Sequence, residues 1–335
     1  MSLSTNYLPN GRDVDDKVQK STTSVLSPLP RAEWLPESVW PFQTSFLKFE
    51  GCKLAVTDVG KGPVLVFVHT GMWSFIWRDV ILRLSSEFRC VCFDAPGTGQ
   101  SERLTVDSIN LERASRAATA VICGLGLRDI VLVFHDLGGL SGIAGAARTP
   151  ERIRALCAVN AFAWRPSGIP FRGMLTLMGS TLMREFDVLT QFAPHITKSS
   201  FGVGRNMDEP SRQAFFRGIG RQGIRAFHSY MRDAHKSEIY DQVEHALAGP
   251  FKRLPLTTIF GENNDPLEFQ PRWKQLYPDA RQIVVAKGNH FPMCDAPDLV
   301  AASIRELYRD RVKARIETAN DNFDGDAGRP PVGKR

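Results

Sequence analysis

The chain has 335 residues, of which 43% are hydrophobic and 23% are charged, and its formal net charge is +6. These values are ordinary for a globular protein, and they exclude disorder, a collagen helix and a coiled coil as the overall class. At about 150 residues per domain, the length predicts two domains or one large domain with an insertion. The longest apolar runs have the length of a strand, whereas a membrane-spanning helix needs roughly 20 apolar residues.

The distribution of charged residues and cysteines predicts which partners the protein binds and in which cellular compartment it works. Lys and Arg residues are interspersed with acidic residues along the chain, which predicts a solvated surface and no nucleic-acid partner. The polar segment Met1–Ser27 lacks the apolar stretch of a secretory signal peptide. The six cysteines have neither the spacing of a disulfide framework nor that of a metal site. We therefore predict reduced thiols in a cytoplasmic protein that has no membrane partner.

Strand-like and helical segments alternate along most of the chain. Residues 1–35 predict a mobile arm and residues 316–335 a disordered tail. This alternation is typical of a mostly parallel sheet with helices on both faces. In chain order, the predicted strands are Phe46–Ala55, Val64–His69, Arg89–Asp94, Asp129–His135, Ile153–Asn160, Leu256–Phe260 and Gln282–Ala286. The predicted helices are Ser108–Leu125, Gly139–Arg148 and Pro297–Arg309.

The segment from Trp164 to Pro250 interrupts this alternation. It has a helical pattern, is rich in Met, Phe and Arg, and contains no convincing strand. A helical insertion between two strands would cover the carboxyl ends of the sheet, where folds of this class keep their sites. We therefore predict a core of residues 36–163 and 251–315, with a helical lid of residues 164–250 over an apolar pocket.

The segment Val131–Gly139 holds the sharpest chemical feature. An apolar strand runs into Asp136, and a pair of glycines then opens a helix. This is the arrangement of a nucleophile elbow, a strained strand-to-helix turn that presents one side chain at the top of the sheet. Because the chain contains no G-x-S-x-G pentapeptide, the elbow residue is a carboxylate, which attacks an alkyl carbon and forms an ester. Capping of the helix is the competing interpretation of Asp136.

Two later strand ends carry groups that complete a catalytic triad. His290 follows a predicted strand, at the place of the last member in the order nucleophile, acid, histidine. Asp265 also follows a strand, and it would orient His290 and stabilise its imidazolium. Glu262 competes for that role, and simple turn formation by the polar loop is the alternative to both. The chain order favours a triad of Asp136, Asp265 and His290.

Together these features resemble the α/β-hydrolase superfamily, in the branch that contains haloalkane dehalogenases and epoxide hydrolases. The resemblance implies an α/β-hydrolase fold with a helical lid, no metal or organic cofactor, and a small apolar substrate that reacts with water. It also implies an oxyanion hole made of the Leu137 N–H and one N–H from Thr70 or Gly71. The resemblance spans about Trp40 to Arg309, and its supporting segments are Gly62–His69, Trp73–Arg78, Asp94–Ser101, Asn160–Trp164 and Gly288–Pro297.

The chain departs from this branch at the donors that assist the leaving group. In dehalogenases a Trp usually follows the nucleophile and an Asn lies in the loop after the earlier strand, and both hold the departing halide. Leu137 follows Asp136 in this chain, and that loop contains no Asn. Trp73 and Trp164 are candidate substitutes in the pocket. Epoxide hydrolases use lid tyrosines, for which Tyr230 and Tyr240 are the candidates here, with packing as an equal alternative.

The sequence therefore predicts a hydrolase that works through an alkyl-enzyme ester. Asp136 would attack the substrate, and His290 would activate the water that hydrolyses the ester. An epoxide hydrolase, a β-lactone-processing enzyme and a non-catalytic binding protein of the same fold remain as alternatives. The presence of both Asp136 and His290 counts against the binding protein. The oligomeric state stays open.

Overall fold

The computed structural model describes residues 26–313, with the exception of residue 266. In these residues nine strands form one sheet in the order β1-β2-β3-β5-β4-β6-β7-β8-β9. Strands β4 to β9 run parallel to one another, and β1, β2 and β3 are added antiparallel at one edge. The strands are β1 Ser27–Pro28, β2 Thr44–Phe49, β3 Cys52–Val59, β4 Val64–Thr70, β5 Arg89–Phe93, β6 Ile130–Asp136, β7 Ile153–Ala161, β8 Leu256–Gly261 and β9 Arg281–Val285.

Helices cover both faces of the sheet, as predicted. Successive residues of a strand point to opposite faces, and Val131 and Leu132 of β6 accordingly belong to two different core clusters. Helices α2, α3 and α8 contribute to the cluster that contains Leu132, whereas α1 and α11 contribute to the other. The helices are α1 Arg78–Leu84, α2 Leu111–Gly124, α3 Gly138–Ala146, α4 Ile169–Met178, α5 Thr181–Thr190, α6 Phe192–Thr197, α7 Glu209–Lys236, α8 Ile239–Ala248, α9 Phe269–Leu276, α10 Pro292–Asp295 and α11 Pro297–Leu307.

One predicted strand is wrong in its extent. The segment Phe46–Ala55 is a hairpin, in which Phe49 pairs with Cys52 across a two-residue turn. Glu50 and Gly51 both have positive φ, of 42° and 76°, as the tight turn of a hairpin requires. The alternation of apolar residues continues across this turn, so it concealed the reversal of the chain.

The described part of the predicted N-terminal arm, residues 26–35, is joined to the folded core. Ser27 and Pro28 form the edge strand β1, which pairs with β2, and Leu35 is buried at 1% exposure. Pairing with β2 gives the backbone of Ser27–Pro28 hydrogen-bond partners, which the polar composition of the segment did not indicate. Residues 1–25 and the predicted tail of residues 316–335 lie outside the described residues.

Between β7 and β8 the chain forms five helices, α4 to α8, and no strand within the described residues. The long helix α7 lies against the loop after β4. A Cβ atom at Gly218 of α7 would lie 2.3 Å from the Trp73 ring, and one at Gly71 would lie 3.3 Å from the Phe227 ring of α7. The helical segment thus approaches the carboxyl end of the sheet, and we keep the name lid for it.

All six cysteines are free thiols. Burial raises the pKa of Cys90 and of Cys157 to about 12. A thiol with so high a pKa is a poor nucleophile at neutral pH, so these two cysteines are packing residues of the core.

Candidate active site

Asp136 occupies a strained turn between β6 and α3. Its φ is +51°, a left-handed conformation that non-glycine residues seldom adopt and that often marks a functional site. A Cβ atom at Gly138 would lie 2.5 Å from the Val68 carbonyl oxygen, and one at Gly139 would lie 2.3 Å from the Phe162 carbonyl oxygen. Only glycines therefore allow α3 to start this close to the neighbouring strands, and the turn has the geometry of the predicted elbow.

The competing interpretation of Asp136 as a helix cap is wrong. The residue at the cap position of α3 is Leu137, and the helix has no capping bond from a side chain there. The Asp136 carboxylate is 18% exposed and faces His290, whose Nε2 lies 3.6 Å from Oδ2.

Hydrogen bonds from neighbouring side chains to the backbone hold the loop that carries His290. The Nε2–H of His135 donates to the His290 carbonyl oxygen at 2.8 Å. Asp295 Oδ2 accepts from the Asn289 N–H at 2.6 Å. Three elements, β6, α10 and the loop itself, thus determine where the His290 ring stands.

Asn160 is a residue of this site whose role sequence reasoning missed. It lies near the end of β7 with a φ of +39°. Its Nδ2 donates to the carbonyl oxygens of Asn289 and His290 at 3.0 and 3.1 Å, and its Oδ1 accepts from the Gly261 N–H at 3.0 Å. One amide therefore ties together the ends of β7 and β8 and the histidine loop. The sequence indications were its place at a strand end and in the segment Asn160–Trp164, which supports the family resemblance.

The structure does not bring Asp265 to His290, in contrast to the predicted triad. The two carboxylate oxygens of Asp265 accept from the N–H groups of Phe269 and Gln270 at 2.7 and 2.9 Å. These are N–H groups of the first turn of α9, which have no acceptor within the helix. Burial raises the pKa of Asp265, and these two hydrogen bonds oppose the shift. Asp265 therefore stabilises the start of α9.

Asn264 takes the position beside His290 that was expected of an acid. Its Nδ2 lies 3.1 Å from His290 Nδ1. The competing candidate, Glu262, accepts the Lys287 N–H at Oε2, at 2.7 Å, and so anchors the turn after β9. Glu262, Asn264 and Asp265 share one loop, and composition alone could not assign which of them reaches the imidazole.

Asp136 and His290 line a cavity of about 330 Å³ under the lid. Its polar lining residues are Asp136, Asn160, Thr197, Asn264, Asp265 and His290. Its apolar lining residues are Met72, Phe162, Phe171, Met174, Phe227, Met231, Phe260, Leu267, Phe269 and Phe291. The lid supplies Phe171, Met174, Thr197, Phe227 and Met231, so the expectation of an apolar pocket under the lid is met. No three His, Cys, Asp or Glu side chains among residues 26–265 and 267–313 are placed to hold a metal ion.

The tryptophans proposed for the pocket are core residues. Trp73 is fully buried, and its Nε1–H donates to the Phe215 carbonyl oxygen at 3.2 Å. Trp164 packs edge-on against Trp273 with ring centroids 5.3 Å apart, and neither Trp73 nor Trp164 lines the cavity. Their assignment to the pocket is wrong, because both rings find partners in the core.

The two lid tyrosines are also packing residues. The Tyr230 hydroxyl donates to the Pro96 carbonyl oxygen, and the Tyr240 hydroxyl donates to the Ala234 carbonyl oxygen, both at 2.8 Å. Burial raises the pKa of both hydroxyls. Their assignment to the pocket is wrong, since each hydroxyl is satisfied by a backbone carbonyl away from Asp136.

The residues predicted for the oxyanion hole surround Asp136. Leu137 follows it at the start of α3, where N–H groups have no acceptor within the helix. Thr70 is the register partner of Asp136 on β4, and Gly71 follows with a φ of +114°. The hydroxyl groups of Thr70 and Ser141 are 2.6 Å apart, so the Thr70 side chain is engaged within the core.

Two neutral histidines stand behind the site. His69 Nδ1 lies 3.1 Å from His135 Nδ1. Because His135 donates from Nε2 to the His290 carbonyl oxygen, its Nδ1 carries no hydrogen and faces the His69 Nδ1–H, which also lies 3.4 Å from the His135 carbonyl oxygen. Burial lowers the pKa of His69 to about 4 and that of His135 well below its ordinary value. This uncharged pair therefore links β4 and β6 to the backbone of His290 through hydrogen bonds.

Comparisons with known proteins identify the family. A family model described as the alpha/beta hydrolase family matches residues 65–303. A cis-3-alkyl-4-alkyloxetan-2-one decarboxylase of Shewanella oneidensis is 26% identical over 285 residues, which cover 81% of this chain and 90% of that protein. Haloalkane dehalogenase 2 of Mycobacterium tuberculosis is 24% identical over 283 residues, which cover 81% of this chain and 96% of that protein.

The fold agrees with this assignment. The crystal structure of an epoxide hydrolase from Vigna radiata has a TM-score of 0.65 and 18% identity, and the match covers 81% of this chain and 99% of that one. The predicted α/β-hydrolase fold is thereby confirmed. This chain is an enzyme of the alpha/beta hydrolase family, and its relatives include a haloalkane dehalogenase and an oxetanone decarboxylase.

Proposed function

We propose that Asp136 is the nucleophile and that His290 activates water against the ester that Asp136 forms. The observation that carries this proposal is the strained Asp136 carboxylate, which faces His290 Nε2 at 3.6 Å in an apolar cavity. A carboxylate held in such a turn is a nucleophile for saturated carbon. The nearby imidazole acts as the base of the second step.

The donors around the cavity select the leaving group. Both Asn160 Nδ2 bonds go to backbone carbonyls, the Thr197 hydroxyl donates to the Ala193 carbonyl oxygen at 2.8 Å, and Asn264 Nδ2 lies against His290. The side-chain donors of Asn160 and Thr197 are thus occupied within the protein. A halide or an alkoxide needs preorganised donors as it departs, and among the described lining side chains only His290 and Asn264 could supply one.

A β-lactone best fits such a site. When Asp136 attacks the saturated ring carbon that bears the ring oxygen, the carbon–oxygen bond breaks and its electron pair remains on a carboxylate. A carboxylate is already stable in water, with a pKa of about 4, so it leaves without further donors. Relief of the strain in the four-membered ring assists the step. The apolar lining supports a substrate with alkyl substituents, and one of the relatives is named for an alkyl-substituted oxetanone.

Hydrolysis of the ester follows at the carbonyl carbon of Asp136. His290 Nε2 takes a proton from water, and the resulting hydroxide adds to that carbon. The negative oxygen that develops is held by the Leu137 N–H and one N–H from Thr70 or Gly71. Collapse of the intermediate expels the alkoxide, which recovers the proton from His290. The product is a β-hydroxy acid, and Asp136 returns as a carboxylate.

Asn264 orients the base in this proposal. His290 Nε2 accepts a proton only when the hydrogen of the neutral ring is on Nδ1. Asn264 Nδ2 lies beside His290 Nδ1 in the structure, and the requirement is met when the amide is turned by about 180° so that its oxygen accepts the Nδ1–H. An amide cannot neutralise the imidazolium, so its contribution is to orientation and tautomer.

A single turnover in water labelled with the heavy isotope of oxygen tests the proposal. With excess enzyme over a dialkyl β-lactone, the label is expected in the Asp136 carboxylate and not in the first product molecule, because water attacks the ester carbonyl. Mass spectrometry of the Asp136 peptide and of the product measures both. Label in the first product molecule would mean direct attack by water, and release of an alkene with carbon dioxide would mean that decarboxylation replaces ester hydrolysis.

A further inference from the structure

The lid exposes a cluster of large apolar side chains. Of the fourteen that are exposed within the described residues, nine lie between residues 169 and 201. Isolated exposed apolar residues are normal, but a contiguous cluster marks an interaction site. The six most exposed of the nine define the lid face: Ile169, Leu177, Leu182, Phe186, Leu189 and Phe201.

On helix α5 the exposed apolar side chains lie on one face. Leu182, Phe186 and Leu189 are spaced by four and three residues, which places them on one stripe of the helix. Leu182 is 82% exposed and Leu189 is 78% exposed, whereas Asp187 on the opposite side is fully buried. A helix in contact with water on its outer side has the reverse pattern. The stripe is therefore suited to contact with an apolar surface outside the protein.

The stripe continues beyond α5. The Phe186 ring lies 6.3 Å from the Phe192 ring at the start of α6, and Ile196, one turn further along α6, is 47% exposed. Met174 of α4 is 40% exposed and also lines the cavity of Asp136. The apolar surface therefore borders the mouth of the candidate active site.

The charges around the lid face are mostly positive. Residues 166–204 contain two acids, Glu185 and Asp187. Asp187 is buried against His228, and Glu185 lies 2.9 Å from Arg184 and 3.8 Å from Arg225. This surface thus presents no acid without a basic partner.

Two exposed arginines stand beside the lid face. Arg172 lies on α4, and Arg232 of α7 is next to the turn that joins α4 to α5, where a Cβ atom at Gly179 would lie 2.6 Å from its Cα. Lys198 follows α6, and its ammonium lies over the Phe216 ring at 4.6 Å. An apolar stripe flanked by cations is the pattern of a surface that binds anionic lipid headgroups.

We propose that the lid face docks onto the surface of an anionic lipid bilayer. Leu182, Phe186 and Leu189 would enter the boundary between headgroups and acyl chains, while Arg172 and Arg232 would contact lipid phosphates. The contact is peripheral, because no helix within the described residues is long and apolar enough to cross a bilayer. This departs from the sequence-based expectation of no membrane partner, and it holds whether or not Asp136 is the nucleophile.

A second copy of the chain fits this surface less well. A twofold dimer pairs one surface patch with its own copy. The cations that flank the lid face would then be brought toward their counterparts, and like charges oppose association. An anionic bilayer complements the same charges.

Flotation with lipid vesicles tests the proposal. We expect the full chain to float with vesicles of phosphatidylcholine and phosphatidylglycerol, to float much less with phosphatidylcholine alone, and to be released by high salt. The double variant Leu182→Gln/Leu189→Gln should lower the partition coefficient by at least about tenfold, since two leucines no longer enter the apolar boundary. Glutamine is chosen because it adds no charge that would itself repel the vesicles.

The matched control is Leu82→Gln/Leu276→Gln, which changes two exposed leucines outside the lid and should float like the natural chain. Circular dichroism and thermal unfolding establish that each variant is folded. Absence of flotation of the natural chain, or equal flotation of the two double variants, overturns the proposal. So does a dimer that dissociates on Leu182→Gln/Leu189→Gln, because a second copy would then cover the lid face.

Discussion

Side chains at the carboxyl end of the sheet find their partners inside the protein, whereas the side chains of the lid face are exposed. Around Asp136 and His290, polar groups such as the Asn160 amide and the His135 imidazole are bonded to backbone atoms of neighbouring loops. On the lid face, apolar side chains such as Leu182 and Leu189 are left to the surroundings. The difference supports both proposals, which place the chemistry at a fixed site and the contact with an external surface on the lid.

Replacement of the base should have the largest effect on turnover. In His290→Gln, Asp136 still attacks but the ester is not hydrolysed, so kcat should fall by about 10³-fold or more. Mass spectrometry of the Asp136 peptide should show the trapped adduct. His245→Gln, at an exposed position on α8, is the control and should turn over normally. An unmodified His290→Gln enzyme that still turns over would contradict the mechanism.

The choice of leaving group should have the next largest effect. Since the described lining of the cavity offers side-chain donors for a halide only at His290 and Asn264, we expect bromoalkane turnover to be slower than β-lactone opening by on the order of 10³-fold. Halide release and lactone consumption, measured with substrates of matched chain length, check this ratio. An epoxide of the same length completes the series. Fast bromide release would mean that backbone N–H groups alone hold the halide.

A comparison of Asn264→Ala with Asp265→Asn separates orientation of the base from capping of a helix. Asn264→Ala should lower kcat by about 10²-fold, because a misplaced catalytic group loses its alignment. Asp265→Asn should leave kcat nearly unchanged and lower the stability of the fold by about 1 kcal/mol through α9. Asn263→Ala, at the exposed neighbouring position, is the control. If Asp265→Asn proves the more damaging to kcat, the originally predicted triad holds in the working enzyme.

The buried pair in the lid should affect stability more than chemistry. His228 Nε2 lies 2.9 Å from Asp187 Oδ2, and its Nδ1 lies 2.5 Å from the Met178 carbonyl oxygen, so both ring nitrogens face acceptors. Removing one partner of a buried pair is costly. Asp187→Asn should therefore lower the free energy of unfolding by about 3 kcal/mol. Urea unfolding measures this effect, and single-turnover rates at saturating substrate should hardly change. Glu185→Gln is the exposed control.

The histidine pair behind the site should make the fold sensitive to acid without a direct effect on turnover at neutral pH. Burial lowers the pKa of His69 to about 4 from 6.5, so the unfolded chain binds more protons between these values. Stability is therefore lost as the pH falls through that window, by about 3 kcal/mol for this residue. His69→Asn should flatten the dependence in urea unfolding between neutral and acidic pH. His195→Asn, at an exposed position, should not.

Local sequence patterns were sufficient to predict the position of a residue wherever it directly follows a recognisable strand. The apolar run before Asp136 and the two glycines after it predict the elbow, because only a strand followed by a tight helix start has that composition. The place of His290 after a strand, in the correct chain order, was predicted for the same reason. In the structure the two side chains meet at 3.6 Å.

Local patterns failed where several residue types compete for one position. Asn264, Asp265 and Glu262 share one polar loop, and only its path between β8 and α9 assigns Asn264 to the imidazole and Asp265 to the helix. Trp73, Trp164, Tyr230 and Tyr240 were predicted for the pocket from their chemistry. Each ring or hydroxyl found a partner in the core instead.

By itself the sequence predicted the alternation of strands and helices, the fold class and the proximity of Asp136 to His290. These properties depend on hydrophobic periodicity and on the order of residues in the chain, and both can be read without knowledge of tertiary contacts. The tertiary structure alone decided which polar groups reach the cavity, because hydrogen-bond partners come from residues distant in the chain. It also decided that Asp187 of α5 points inward and the leucines point outward. Helical periodicity shows that a helix has two different faces, but it does not show which face packs against the core.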